Sequence, residues 1–237
     1  MFRQKVIYLD TASATPLEPR VWLAMKPYFR RVFANPASLH RSGLVAATAL
    51  ESARKDVANY LSAQPDEIFF TSGGTESLNW VIFGLTRQFS SPQHLVLSAL
   101  EHEAVLAPCR YLEKQGWQLT IVEPDKNGLI KPSAIAAALR PETVLVAVMA
   151  VNNEIGTIQP IHDIAKVIRT WRNKHQSETP YFLTDACQAP RAVELAVPYL
   201  GVDFLVLNGS KIYGPKGVGA LFICRGLKID PLLFGGG

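Results

Sequence analysis

The chain has few cysteines, no long apolar run and no concentration of one charge, and each shortage closes off a class of function. Its 237 residues include three cysteines, Cys109, Cys187 and Cys224, odd in number and widely separated. That pattern gives neither a disulfide framework nor paired zinc ligands, so no metal is expected, and a reducing cytoplasm is the simplest compartment. The longest uninterrupted apolar run, Val144 to Val151, is far short of the ~20 residues of a membrane span. Met1-Phe2-Arg3-Gln4-Lys5 leads into a short apolar stretch and then Asp10, without the apolar core and cleavage site of a secretory leader, so none is expected. Net charge is +4, from 24 basic and 20 acidic residues. The basic residues are scattered, with Arg30-Arg31 and Arg54-Lys55 the only adjacent pairs, and no aromatics are interleaved among them. A nucleic-acid partner needs a basic stripe on one face, so none is expected. There is no internal repeat, low-complexity stretch or Ser/Gly-rich linker.

What is present is an alternation of strands and helices. Strands are expected at Val6–Leu9, Ile68–Thr71, His94–Ser98, Trp117–Val122, Val144–Met149, Tyr181–Thr184, Phe204–Leu207 and Ala220–Ile223. Between them lie amphipathic helices. In Gly43 to Leu61, residues Ala46, Leu50, Ala53, Val57 and Leu61 form one apolar stripe. Others are Pro19 to Arg31, with proline at its start, Thr75 to Arg87, Glu103 to Gln115, Ser133 to Leu139 and Ile164 to Lys174. Strands that are apolar throughout and alternate with helices indicate an α/β fold: a mostly parallel sheet covered on both faces.

The chemistry-bearing residues fall at strand ends. Ile68–Thr71 runs into Ser72-Gly73-Gly74-Thr75-Glu76 and then a helix. Small residues there let the backbone approach an anion, and the helix start offers unpaired N–H groups. The lysine of a nucleotide P-loop is absent, which argues against an ATPase or GTPase. His102 follows the strand His94–Ser98, with no second histidine four residues on, so a zincin site is excluded. Asn152-Asn153-Glu154 follows Val144–Met149; its amides either form a turn or address a ligand. Asp185 and Gln188 follow Tyr181–Thr184. Lys211 lies in Asn208-Gly209-Ser210-Lys211-Ile212-Tyr213-Gly214-Pro215-Lys216-Gly217, a glycine-flanked turn between two apolar strands. A lysine so placed can reach into a cleft and bond a carbonyl cofactor covalently, and an acid at a strand end suits a pyridinium nitrogen. Open α/β sheets bind ligands at that edge.

These motifs, in this order, resemble the cysteine desulfurases of the class V aminotransferase group, closest to the iron–sulfur-cluster-assembly type. The resemblance runs from Tyr8-Leu9-Asp10 to Gly237. It includes Asn35-Pro36-Ala37-Ser38-Leu39-His40, Thr71-Ser72-Gly73-Gly74-Thr75-Glu76-Ser77-Leu78-Asn79, Glu101-His102, Val151-Asn152-Asn153-Glu154-Ile155-Gly156, Asp185-Ala186-Cys187-Gln188 and Lys211 to Gly217. It implies a fold-type I large domain with a seven-stranded sheet, preceded by an N-terminal segment (1–15) and occupying 16–237. It also implies pyridoxal 5'-phosphate as cofactor, held covalently by Lys211. Asp185 would pair with the ring nitrogen, Gln188 with the phenolic oxygen, and His102 would stack on the ring. Gly74 and Thr75 would hold the phosphate, and Asn153 would lie near the phenolic oxygen or the substrate carboxylate.

L-cysteine is the implied substrate, alanine and an enzyme persulfide the implied products. A homodimer and a sulfur-acceptor or iron–sulfur scaffold protein are the implied partners. The family usually carries serine and histidine, both serving the phosphate, where this chain has Asn208 and Ser210. Its chains also continue past the position of Gly237 into a small domain bearing the persulfide-forming cysteine, so residues 1–237 alone are expected to be inactive. A selenocysteine lyase, another class V aminotransferase and a non-catalytic cofactor-binding module are the alternatives.

Overall fold

The computed structural model describes residues 7–235. Its helices are α1 (Pro19–Met25), α2 (Arg41–Leu61), α3 (Gly74–Thr86), α4 (Glu103–Glu113), α5 (Pro132–Ala138), α6 (Ile161–His175) and α7 (Val197–Leu200). Its strands are β1 (Ile68–Thr71), β2 (His94–Ser98), β3 (Gln118–Val122), β4 (Thr143–Ala147), β5 (Tyr181–Asp185), β6 (Phe204–Asn208) and β7 (Gly219–Ile223). They form one seven-stranded sheet in the order β1-β7-β6-β5-β4-β2-β3. The pairs β2–β3, β2–β4, β4–β5 and β5–β6 are parallel, whereas β7 runs antiparallel to both β1 and β6. The expected α/β architecture is present, with one reversed strand.

Strand pleating sends alternate side chains to opposite faces, and each face has its own core. On one, Val96, Val146, Phe182 and Leu205 pack with Ala58 and Leu61 of α2, Ile135 of α5, Ile164 and Ile168 of α6 and Leu200 of α7. On the other, Leu95, Leu97, Leu145, Leu183 and Val206 pack with Leu78, Val81, Ile82 and Leu85 of α3 and Val105, Cys109 and Leu112 of α4. Among the described residues no helix is long and apolar enough to cross a membrane.

Three sequence expectations change. Of Val6–Leu9, Val6 lies outside the described residues, and Ile7 to Leu9 pair with no strand. Tyr8 Oη instead donates to the carbonyls of Asp10 (2.7 Å) and Ala14 (2.9 Å), curling the segment locally. The helix from Pro19 to Arg31 ends at Met25 and continues only as a 3-10 turn, Lys26–Phe29. Pro27 has no N–H to donate and its ring crowds the preceding turn. Of the stripe on α2 only Leu61 is fully buried, with Val57 packed partly against the core and Leu50 exposed.

At the sheet edge away from the strand C-termini, Asp203 ties three strands together. Its carboxylate accepts from Phe182 N–H (2.6 Å) and pairs with Arg172, and its carbonyl accepts from Cys224 N–H (2.9 Å). Asp203→Ala leaves a strand N–H unpaired and the half-buried Arg172 guanidinium with the Pro180 carbonyl but no carboxylate. The expected cost is about 3 kcal/mol, the scale of breaking a buried charged pair, read as a lower denaturant midpoint. A loss within experimental error of zero would show that water replaces the carboxylate.

Candidate active site at the strand ends

The C-terminal ends of β6, β5, β4 and β2 share one edge, and the reversed β7 brings the β1–α3 turn beside them. Gly219 permits that approach: a Cβ there would lie 2.6 Å from Gly73 Cα. Gly73 holds φ near +153°, a conformation side chains rarely adopt, and caps α3 without any side-chain hydrogen bond. The first turn of α3 therefore keeps unpaired N–H groups and the positive end of a 13-residue helix. Gly74 packs close to Cys187, whose Sγ would sit 2.8 Å from a Cβ added there.

A cavity of about 390 Å³ opens on this edge. That is within the range of small-ligand pockets, roughly 300–1,000 Å³. Lys211, Asp185, His102, Gly74, Thr75, Asn153, Gln188 and Asn208 all line it. Ser210 does not; it stands behind Asn208, its hydroxyl and N–H donating to Asn208 Oδ1 (3.1 and 3.2 Å). With Oδ1 so engaged, the Asn208 amide nitrogen lies 3.6 Å from the position a Cβ on Gly74 would take. The side chain thus presents a donor to the α3 N-terminus.

Asp185, the last residue of β5, is buried in the cavity floor, with Oδ1 accepting from Cys187 N–H (2.9 Å). His102 caps α4, its Nδ1 accepting from Ala104 N–H (3.0 Å). That bond fixes the ring at the cavity wall. Lys211 ends a 3-10 turn, Gly209–Lys211, after β6. Its amine donates to the carbonyls of Ala12 (2.9 Å) and Ser13 (2.6 Å), and Gln188 Nε2 donates to Ala12 as well (2.8 Å). Asp10, Ala12 and Ser13 consequently form part of the cavity lining, a contribution that sequence reasoning missed. Backbone carbonyls carry no residue signature, so only the resemblance of Tyr8-Leu9-Asp10 hinted at it.

Lysine, carboxylate, imidazole, amides and a helix N-terminus converge on one concave site. The aminotransferase class-V family model matches residues 7–237. The chain belongs to this family. Its class-V relatives include the cysteine desulfurase IscS of Dictyoglomus turgidum, 44% identical over 234 residues, which are 98% of this chain and 58% of that protein. The cysteine desulfurase IscS of Methanosarcina thermophila is 43% identical over 233 residues, 98% of this chain and 56% of that protein. A solved NifS-like protein superposes with a TM-score of 0.92 at 34% identity, covering 98% of this chain and 62% of that one. SspA, solved in complex with cysteine, gives 0.90 at 39% identity, with 97% and 65% covered. The chain thus spans somewhat over half the length of the curated relatives named here.

The thiols of this class-V chain are poorly placed as nucleophiles. Burial pushes Cys109 up to about 12, with Glu101 adding to the effect. Burial also raises Cys187 well above the ordinary thiol range, with the Asp185 carboxylate reinforcing it and Lys211 acting against it. Cys224 is partly exposed but does not line the cavity. Because the thiolate is the reactive form, iodoacetamide at neutral pH should label Cys224 first and leave Cys109 and Cys187 largely unmodified in the folded protein. Rapid labelling of Cys187, mapped by mass spectrometry, would show an accessible thiolate in the cavity.

Proposed function

We propose that this chain is the cofactor-binding part of a cysteine desulfurase, using pyridoxal phosphate on L-cysteine. The observation that carries the reading is Lys211 and the buried Asp185 facing one cavity beside the free N-terminus of α3. The donor set fits the cofactor. A buried carboxylate suits a protonated ring nitrogen, an amine suits the aldehyde, and helix N–H groups with Thr75 and Asn208 suit a phosphate. A methyl group on Gly74 would crowd this cradle against Cys187. The lead-in segment 1–15 and the large domain 16–237 belong to the same reading.

When bound, the cofactor would supply an electron sink that labilises the Cα proton of the amino acid and thereby its Cβ–S bond. The residues of this chain do the rest. Lys211, its amine withdrawn from the carbonyls of Ala12 and Ser13, would hold the cofactor covalently and, once the substrate amine displaces it, would be free to move a proton at Cα. Asp185 would pair with the ring nitrogen. His102 lies along the cavity wall where a flat ring stacks, and Gln188 and Asn153 address polar oxygens. Sulfur leaves as a formal cation equivalent to an attacking thiolate: the Cβ–S bond breaks, an S–S bond forms, and the carbon fragment takes up protons to give alanine. None of the three thiols described above is suited to that attack, so the acceptor thiolate comes from outside residues 1–237. A second copy of the chain, a sulfur-acceptor or iron–sulfur scaffold protein and a cytoplasmic setting complete the proposal.

Borohydride reduction of the cofactor-treated protein, followed by peptide mapping, should place the pyridoxyl group on Lys211, and Lys211→Ala should lose it. Modification of Lys216 instead would overturn the assignment. The 237-residue polypeptide, given L-cysteine, cofactor and a reductant, should release neither alanine nor sulfide over multiple turnovers. Sustained release of both, abolished by Cys187→Ser, would establish Cys187 as the nucleophile.

A further inference from the structure

Glu101 is a buried acid that takes no part in holding a cofactor or moving a proton in the proposed chemistry. It is 5% exposed and lies in the turn between β2 and α4, next to His102. One oxygen, Oε1, accepts from Ser98 Oγ (2.8 Å) at the end of β2 and from Met149 N–H (2.6 Å) beyond the end of β4. The other, Oε2, is buried without a partner among the described residues. Asn152 joins the same two segments, its Nδ2 donating to the Leu100 carbonyl (3.1 Å) while Oδ1 accepts from Glu154 and Ile155 N–H (2.9 Å each). His102 lines the cavity from the first segment, and Met149, Val151 and Asn153 from the second.

We propose that Glu101 is a positioning residue of this site, its carboxyl tying the turn that carries His102 to the segment Met149–Asn153, so that two walls of the cavity keep a fixed separation. The inference rests on the cofactor reading of the cavity. Its chemistry is that of a neutral clamp. Burial drives the carboxyl up to about 8, the bonds from Met149 and Ser98 act against that, and the nearby Asp185 charge adds to it. The titratable groups facing it are Asp185 at the end of β5 and Cys109 on α4. With Oε1 accepting two bonds, Oε2 is the oxygen left to carry a proton.

The test uses Glu101→Ala, Glu101→Gln and the unaltered chain, with two readouts. The first is amide hydrogen exchange without cofactor. Glu101→Ala should speed exchange across residues 149–153 by about tenfold or more, the loss of one buried hydrogen bond, with α6 unchanged. Glu101→Gln keeps a neutral acceptor and should restore most of the protection. The second is the affinity for pyridoxal phosphate from fluorescence titration, expected to fall about tenfold in Glu101→Ala and to recover in Glu101→Gln. If Glu101→Ala does not fold, Glu101→Asp, one methylene too short for the span, takes its place with the same expected order. Exchange unaltered in Glu101→Ala, or Glu101→Gln as perturbed as the alanine variant, overturns the clamp. Exchange altered with equal affinities overturns its role in positioning the site. If the unaltered chain does not bind pyridoxal phosphate, the cofactor reading falls, while exchange still decides whether Glu101 holds the two walls together.

Discussion

Four neighbouring parallel strands, β6, β5, β4 and β2, stop at one edge of the sheet, and the cavity exists because their backbones cannot go on pairing beyond it. Each chain must turn away there, and each turn leaves polar groups that a buried ladder would otherwise consume. The consequences differ from strand to strand. After β5, Asp185 spends one oxygen on the Cys187 N–H and faces the cavity. After β6 a 3-10 turn delivers Lys211, and after β2 the pair Glu101 and His102 leads into α4, with His102 as its cap. Reversal of β7 adds a fifth contributor by bringing the β1–α3 turn alongside. A ligand bound at this edge meets groups from well-separated parts of the chain, each held by its own strand.

Burial then assigns roles to groups of similar chemistry. Asp185 and Glu101 are both carboxylic acids at strand ends, and Cys187 sits two residues beyond Asp185. Glu101 has one oxygen without a partner among the described residues and is pushed up to about 8, whereas Asp185 opens onto the cavity that Lys211 also lines. One acid is thereby suited to be a clamp and the other a counter-ion. The thiol between Asp185 and Gln188 is held protonated by the same burial and the same neighbouring charge, which suits it to packing under Gly74 rather than to attack.

Elements whose pattern was dictated by their own residues were legible in the sequence. The apolar stretches from Ile68 to Ile223 became strands with ends shifted by a residue or two, because a run that is apolar on both faces has no other stable place than a covered sheet. Long-range side-chain to backbone bonds were not legible. Asp203 to Phe182 N–H and Glu101 to Met149 N–H each join a carboxylate to an amide that any residue type carries. The stripe on α2 misled for a different reason. Periodicity reports that a face is apolar, not that a neighbour covers it, and Leu50 stays exposed. Ser210 lies beside Lys211 in sequence, yet its hydroxyl is spent on Asn208, a direction set by the 3-10 turn rather than by spacing.

The lysine turn is not self-sufficient. Tyr213 holds φ near +62°, in the left-handed region that a bulky side chain occupies only under constraint. Thr15 supplies that constraint. Its Oγ1 accepts from Tyr213 N–H (2.7 Å) while its own N–H and hydroxyl donate to the Ser210 carbonyl (2.8 and 2.9 Å), and Lys216 Nζ donates to its carbonyl (2.5 Å). Arg191 lies over the Tyr213 ring, 5.1 Å from its centroid, on the other side. A single residue from the beginning of the chain therefore brackets the turn, bonding the residues before and after Lys211 and the second lysine beyond. The preceding carbonyls of Ala12 and Ser13 meet the Lys211 amine itself. The geometry of the Lys211 amine thus depends on contacts about two hundred residues away in sequence. Any change that loosens Thr15 would release the strained Tyr213 and Lys211 together, while Asp185 stays held at the end of β5 and the α3 turn at the end of β1.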